Sequence, residues 1–418
     1  MLTRFAALVL TIATAGTVSA QPLPAAPPSD QGFSPERLGR LHAMLDRQVQ
    51  DGVLSGAISL IARRGRVVDV HVIGQRDRDA GTPMTRDTIV RMYSMTKIVT
   101  SVAVMMLVEE GKLKLTDQVG TYWPELAKMS VWQGGTAAKP ELAPAKQPIT
   151  IKHLLTHTSG LVYGFGNDEL SKVYQQAKLY ENASIPAFVS AVAKMPLAFE
   201  PGERYAYGFN TDVLGAVVEK VSGIPFERFV VERIATPLGM VDTSFDVPES
   251  KRGRLARIDR LEKDRKLARL PETELAGVYA EPGRGFAAGG AGLFSTADDF
   301  ARFGQMLLNG GELGGVRLLG RKTVELMMQN HLDHLPRKTI DSNESDGFGL
   351  GGSVRIDLAR GNRLGSVGQF GWAGAATTYI NLDPREETLV ILVAQRFPFN
   401  ADDLLGLFST LFYQSLVK

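Results

Sequence analysis

Two hairpin-like patterns near opposite ends of the 418-residue chain, separated by a long helical stretch, limit most tightly what this sequence can fold into. Gly56 to Arg63 and Arg66 to Gly74 are β-rich runs flanking Arg64-Gly65; Ala375 to Leu382 and Thr388 to Gln395 repeat the pattern around Asp383-Pro384-Arg385-Glu386. Between them apolar residues recur at helical spacing over Ile98 to Val108, Ile151 to Leu155, Ile185 to Ala193, Asp212 to Val221 and Phe226 to Ile234. Another helix starts where Ser34 stands as N-cap before Pro35 and runs to about Gly52, and one more closes the chain from about Asn400. Strand-rich ends around a helical middle predict an antiparallel sheet built from both termini and flanked by helices, with a helical lobe inserted, an α/β plus all-α architecture. The sheet lobe is expected over about 32–93 and 271–418 and the helical lobe over about 94–270, with a cleft between them.

Residues 1–20 read as an export signal. Arg4 precedes an apolar run, Phe5 to Val18, and Val18-Ser19-Ala20 supplies the small residues that place cleavage before Gln21. The run is about fourteen residues long, whereas a membrane-spanning helix needs roughly twenty. The expectation is a bacterial protein, periplasmic or secreted, with no stable membrane anchor. Residues 21–31, rich in Pro and Ala, read as a disordered leader before one domain over 32–418. A hydrophobic fraction of 44% with 22% charged residues is globular composition, and a net charge of +2 gives no reason to expect a nucleic-acid partner. With no cysteine, thiol nucleophiles, thiolate metal sites and disulfides are excluded. Lys251 to Leu270 carries nine basic and three acidic residues but no aromatic one, and reads as a solvated helix or surface loop.

The chemistry centres on Tyr93-Ser94-Met95-Thr96-Lys97. Neither Gly-x-Ser-x-Gly nor His-Glu-x-x-His occurs, and no cofactor or metal is implied. On a helix, residues three apart share a face, which brings the Lys97 amine to the Ser94 hydroxyl. Ile98 to Val108 are apolar almost all round, so the helix is expected to be buried, with Gly111 as its stop. A lysine in a dry site loses stability as an ammonium, its pKa falls, and it can accept the serine proton.

These residues resemble the serine β-lactamase and penicillin-binding-protein superfamily, in its class C-like branch, nearest the family VIII carboxylesterases. Four blocks carry the resemblance in the family's order: Ser94-Met95-Thr96-Lys97; His153-Leu154-Leu155-Thr156-His157-Thr158-Ser159-Gly160-Leu161; Pro201-Gly202-Glu203-Arg204-Tyr205-Ala206-Tyr207 followed by Asp212-Val213-Leu214-Gly215; and Gly371-Trp372-Ala373-Gly374-Ala375 leading into a strand. The resemblance implies a β-lactamase/transpeptidase-like fold in which Ser94 is acylated, Lys97 assists proton transfer and Tyr207 is a phenolate-like general base. Tyr207 is chosen over Tyr205 because the esterase pattern sets the base five residues before Asp212. The backbone N–H groups of Ser94 and Ala375 would form the oxyanion hole, and Trp372, Ala373 and Gly374 would line the substrate.

Two departures bear on the substrate. Phe209 stands where the superfamily's usual Tyr-x-Asn has its asparagine, and Asn210 comes one place later. Trp372-Ala373-Gly374 replaces Lys-Thr-Gly, and a neutral indole in place of the carboxylate-binding lysine favours uncharged esters. The expected activity is hydrolysis of small carboxylic esters through an acyl-Ser94 intermediate, with a small-molecule ester or lactam as partner. Hydrolysis of β-lactams or D-amino-acid peptides is the alternative on the same site, and a penicillin-binding or sensor protein that acylates without turnover is another. His157 reads as a buried turn residue; His42, His71, His153, His331 and His334 carry no visible chemistry. Gly289-Gly290-Ala291-Gly292 reads as backbone packing near the cleft, with Ser295 or Thr296 capping the next helix.

Overall fold

The computed structural model describes residues 22–271, 285–335 and 344–418. The expected export signal therefore lies outside the described residues. Helix α1 (Pro35–Gln50) begins as its cap dictates, Ser34 Oγ accepting from the Arg37 N–H at 3.3 Å. Strands β1 (Gly56–Arg63) and β2 (Arg66–Asp77) follow, joined at Arg64 and Gly65, both left-handed with φ of 50° and 74°. Two successive positive φ values match the right-handed twist of a hairpin.

The sheet has eight strands. After β3 (Thr82–Pro83) come β4 (Asp346–Phe348), β5 (Ser353–Arg355), β6 (Phe370–Gly374), β7 (Thr378–Asp383) and β8 (Thr388–Val393). Their spatial order is β4-β5-β6-β7-β8-β1-β2-β3 and every neighbouring pair is antiparallel. Ile58 pairs with Val393 and Arg63 with Thr388, so strands from opposite ends of the chain form the centre of the sheet. Alternation along β1 gives each face its own cover. Ala57 and Ile61 pack with α1 and with α5 (Leu404–Tyr413), and Ile58, Leu60 and Ala62 pack toward α2 (Thr96–Glu109) and α4 (Ala297–Leu308). Helix α2 is buried from Thr96 to Leu107 and packs on α3 (Asn210–Ser222) in the helical part of the molecule. No helix among the described residues is long and apolar enough to cross a membrane.

The structure corrects three expectations. The strand predicted from Ala375 starts at Thr378, because Ala375 to Thr377 form a turn with Thr377 left-handed at φ 63°, and Phe370–Gly374 is a separate strand before it. The 22–31 stretch is ordered against the sheet. Leu23 is buried, the Val67 N–H donates to Pro24 O at 2.8 Å, the Ala26 N–H donates to Val67 O at 2.9 Å, and Pro28–Gln31 is a 3-10 turn. Prolines, which lack an N–H, suit a segment docked on a strand edge, so composition alone misread it.

The basic stretch also differs from its reading. Asp259–Leu261 and Leu267–Arg269 are strands that join Arg396–Phe397 in a three-stranded sheet, with Ala256, Ile258 and Leu270 buried. Its charges are balanced from elsewhere in the chain: Arg254 pairs with Asp242 at 2.5 Å and Arg269 with Asp79 at 2.9 Å.

Candidate active site

A short 3-10 turn, Tyr93–Met95, precedes α2, so Ser94 sits just outside the helix and does not cap it. Tyr93 is buried with φ 47°, a conformation that costs a bulky residue about 1–3 kcal/mol. Its ring meets Phe397 edge-on at 5.7 Å, and strand β6 comes so close that a Cβ on Gly374 would lie 2.3 Å from Met92 O. This crowding holds the left-handed turn and turns Ser94 toward a cleft of ≈ 900 Å³ lined by Ser94, Tyr163, Tyr207, Trp372, Gly374 and Ala375. The candidate nucleophile, the candidate phenol and the strand edge expected to line the substrate therefore meet in one cavity.

Lys97 is fully buried, and its Nζ donates to Gly290 O at 2.7 Å, Tyr163 OH at 3.0 Å and Ser94 Oγ at 3.2 Å. Three N–H bonds of an ammonium thus have three oxygen partners. When the lysine loses a proton one contact must reverse, and the carbonyl cannot donate, so the reversal falls on a hydroxyl. The amine can then receive the Ser94 proton. Burial pulls the Lys97 pKa down from the ordinary lysine range, while the Asp212 carboxylate opposes the shift. Asp212 is itself buried, and burial pushes its pKa up against the opposing pull of Lys97.

Tyr207 lies beside this pair differently from its neighbours. The Lys97 Nζ sits over its ring, 4.6 Å from the centroid, and its hydroxyl accepts from Trp372 Nε1–H at 3.0 Å. A cation over the ring and an indole donor on the oxygen both favour a phenolate. Tyr205 turns away and packs on Phe348, ring centroids 5.3 Å apart. On the other wall, β5 pairs with β6 as far as Gly371, opposite Ser353, leaving the Trp372–Gly374 edge toward the cleft.

The histidine block is structural. His157, left-handed at φ 54°, accepts at Nδ1 from Asn210 Nδ2 at 2.9 Å and from the Gly208 N–H at 3.4 Å. Burial holds its pKa well below the usual histidine value, so the ring stays neutral. Asn210 is committed to this knot, also contacting Ser159, which is why it cannot serve as the superfamily's cleft-facing asparagine. His153 forms a capping box with Thr150 at the start of the short helix Ile151–Leu155. His42 and His71 stack at 4.2 Å on the opposite side of the sheet lobe, bound to Asp69 and Asp46.

Three groups escaped the sequence reading. Tyr163, two places past the histidine block, is not among the expected site residues, and Asp212 enters the sequence pattern only as the reference point for Tyr207. Gly290 was read as packing, yet its carbonyl holds Lys97 and its N–H donates to Asp212 Oδ1 at 2.9 Å. A Cβ at Gly290 would lie 2.4 Å from Asp212 Oδ2, so the glycine run was the available signal of a close approach. Thr296 caps α4, accepting from the Asp299 N–H at 3.2 Å, as one of the two expected caps.

A family model for Beta-lactamase matches residues 41–411. An uncharacterised protein of Mycobacterium tuberculosis is 38% identical over 361 residues, covering 84% of this chain and 88% of that protein. Esterase EstB of Burkholderia gladioli is 34% identical over 279 residues, covering 63% of this chain and 68% of the esterase. Among solved structures, EstCE1, a hydrolase with promiscuous acyltransferase activity, superposes with a TM-score of 0.77 at 25% identity, covering 92% of this chain and 99% of that one.

Proposed function

The chain belongs to the Beta-lactamase family and has esterase relatives within it, and from that premise we propose that it is a serine hydrolase of small, uncharged carboxylic esters. The observation that carries the proposal is the buried Lys97 donating to Ser94 Oγ at 3.2 Å in a cleft edged by a neutral indole.

In this reading the neutral Lys97 amine takes the Ser94 proton as Oγ attacks the acyl carbon. The developing oxyanion accepts from the Ser94 and Ala375 N–H groups, an arrangement worth several kcal/mol, on the order of 3 per donor. The bond to the alcohol oxygen breaks as Tyr207 gives its proton to the leaving group. The Lys97 ammonium and the Trp372 N–H steady the phenolate. Water then returns a proton to Tyr207 while its oxygen displaces Oγ, which recovers its proton from Lys97. An alcohol in place of water gives acyl transfer, the side activity in the name of EstCE1. Trp372, Ala373 and Gly374 line the acyl-enzyme along the strand edge. Export to the periplasm or medium belongs to the same proposal and rests on Phe5 to Val18 and Val18-Ser19-Ala20.

Turnover of a short-chain p-nitrophenyl ester should exceed that of a chromogenic cephalosporin, and Ser94→Ala should abolish both. Undiminished ester turnover in Ser94→Ala would overturn the proposal; a preference for the cephalosporin would replace the esterase reading with β-lactam hydrolysis.

A further inference from the structure

Lys97 must be uncharged to take the serine proton, yet it lies in the protein interior beside a carboxyl group that stabilises its charge. Asp212 is fully buried on α3, has no assigned part in the reaction, and reaches Lys97 through hydroxyl groups. Tyr163 OH lies 3.0 Å from Lys97 Nζ and 3.5 Å from Asp212 Oδ2. Tyr180 OH lies 3.2 Å from each of Tyr163 OH and Asp212 Oδ2, bridging the longer gap. The other carboxylate oxygen is held by the Gly290 N–H, whose own carbonyl accepts from Lys97. The lysine, the phenols and the acid thus form a closed ring of hydrogen bonds beside the nucleophile.

Resting on the acyl-serine reading above, we propose that Tyr163 and Asp212 are positioning residues that arm Lys97 by an internal proton shift. The Lys97 ammonium passes one proton to the Tyr163 oxygen as the Tyr163 hydroxyl proton moves to Asp212 Oδ2, directly or through Tyr180. The ion pair becomes a neutral amine and a neutral carboxylic acid, Tyr163 ends unchanged, and no proton enters or leaves the site.

The charge count favours this route over deprotonation by bulk water. The resting site holds Lys97 positive and Asp212 negative; the armed site holds both neutral. After acylation Lys97 carries the Ser94 proton and Tyr207 is the phenolate, with Asp212 still protonated. At each stage these groups sum to zero, which matters because an uncompensated charge in a dry interior is strongly penalised. The other groups facing Lys97 do not supply the missing acceptor. His157 already uses Nδ1 to accept and stays neutral, Gly290 offers a carbonyl, and Ser94 is the group to be deprotonated. The opposed shifts of the buried amine and acid bring their proton affinities close, as an exchange between them requires.

Ester turnover across pH in Tyr163→Phe, Asp212→Asn and the double variant tests the shift. Asn is nearly isosteric, and its amide oxygen can still accept from the Gly290 N–H. The shift keeps its proton within the Lys97–Asp212 pair, so the acid limb of kcat/KM in the parent marks the first proton the pair loses; in Asp212→Asn Lys97 titrates alone, and the limb should move to higher pH. Tyr163→Phe should lower kcat on the order of 100-fold in the parent enzyme, but by less than about threefold on the Asp212→Asn background, where there is no ion pair to discharge. Equal losses in both backgrounds, or an acid limb that moves to lower pH as deprotonation of Lys97 by bulk water would give, would overturn the proposal. Should Asp212→Asn fail to fold, Tyr163→Phe decides alone. Its defect should shrink as rising pH lets bulk solvent neutralise Lys97, and a defect constant with pH would sink the relay. Ser94→Ala runs alongside: activity surviving there defeats the acyl-serine reading itself, whereas an inactive Ser94→Ala with equal Tyr163→Phe losses defeats only the proton shift.

Discussion

In the proposed mechanism Lys97 and Tyr207 act as one unit, because the charge that one gains is what the other needs. Burial brings the Lys97 pKa down to about 7, and the working form in acylation is the free amine. The amine is reached once the Lys97–Asp212 pair has lost a proton, so kcat/KM for a neutral ester should climb as pH rises and then level off. Tyr207 is supported separately, through the 3.0 Å hydrogen bond from Trp372 Nε1. Trp372→Phe keeps a ring against Tyr207 but removes that donor. A hydrogen bond to a charged oxygen is worth about 1.5–3 kcal/mol, so the plateau should fall roughly tenfold to a hundredfold. The position of the pH limb should not move, since the indole acts on the phenol and not on the amine. Steady-state rates of both proteins over the same pH series test this; a shifted limb with an unchanged plateau would assign the indole's effect to Lys97 instead.

Strand β6 is the element that converts a serine on a turn into a site. Gly374 lets it approach the Met92–Ser94 turn: a Cβ there would lie 2.2 Å from Thr378 Oγ1 and 2.3 Å from Met92 O. Gly374→Ala should force the strand back, widen the gap between the Ser94 and Ala375 N–H groups, and lower kcat on the order of 100-fold. The Lys97 hydrogen bonds lie on α2 and are untouched, so far-ultraviolet circular dichroism should stay native; near-normal kcat would show that the oxyanion geometry does not depend on this approach. How legible each element was follows from where its determinants lie. The β1–β2 hairpin and α2 were readable because their signals are local, two β-rich runs around Arg64-Gly65 and an apolar run from Ile98. Ser94 and Lys97 were readable because their three-residue spacing brings them together even though Ser94 lies in the 3-10 turn that leads into α2. The strands at Asp259–Leu261 and Leu267–Arg269 were not, because they form one sheet with Arg396–Phe397, far along the chain, and Asp79, which balances Arg269, also sits in another segment. Tyr163, Asp212 and Gly290 were missed for the same reason: no spacing within one segment records a meeting of four distant ones.

The whole molecule is closed by its two ends, and the cost of opening it can be measured. The β1–β8 pairing joins Ile58 to Val393, so the central sheet forms only after most of the chain is available. The termini then lock over it. The Ser34 N–H donates to Ser415 O at 2.8 Å, the Val417 N–H to Gly32 O at 2.8 Å, and the Arg63 guanidinium binds both Gln31 O and Lys418 O. Residues 23–31 add a cover along the outer edge of β2, with Leu23 buried and two backbone hydrogen bonds to Val67. An uncovered strand edge invites pairing with another chain. Burying one leucine contributes about 1.5–3 kcal/mol and each hydrogen bond about 1, partly offset by the entropy of ordering the segment. A chain starting at Gly32 should therefore be less stable by about 1–3 kcal/mol than one starting at Gln21, melt a few degrees lower and aggregate more readily on heating. Ester turnover at 25 °C should be the same for both, because the segment lies on the β2 edge, across the sheet from Ser94. Equal melting temperatures for the two truncations would show that the docked segment contributes nothing to the closure of the sheet.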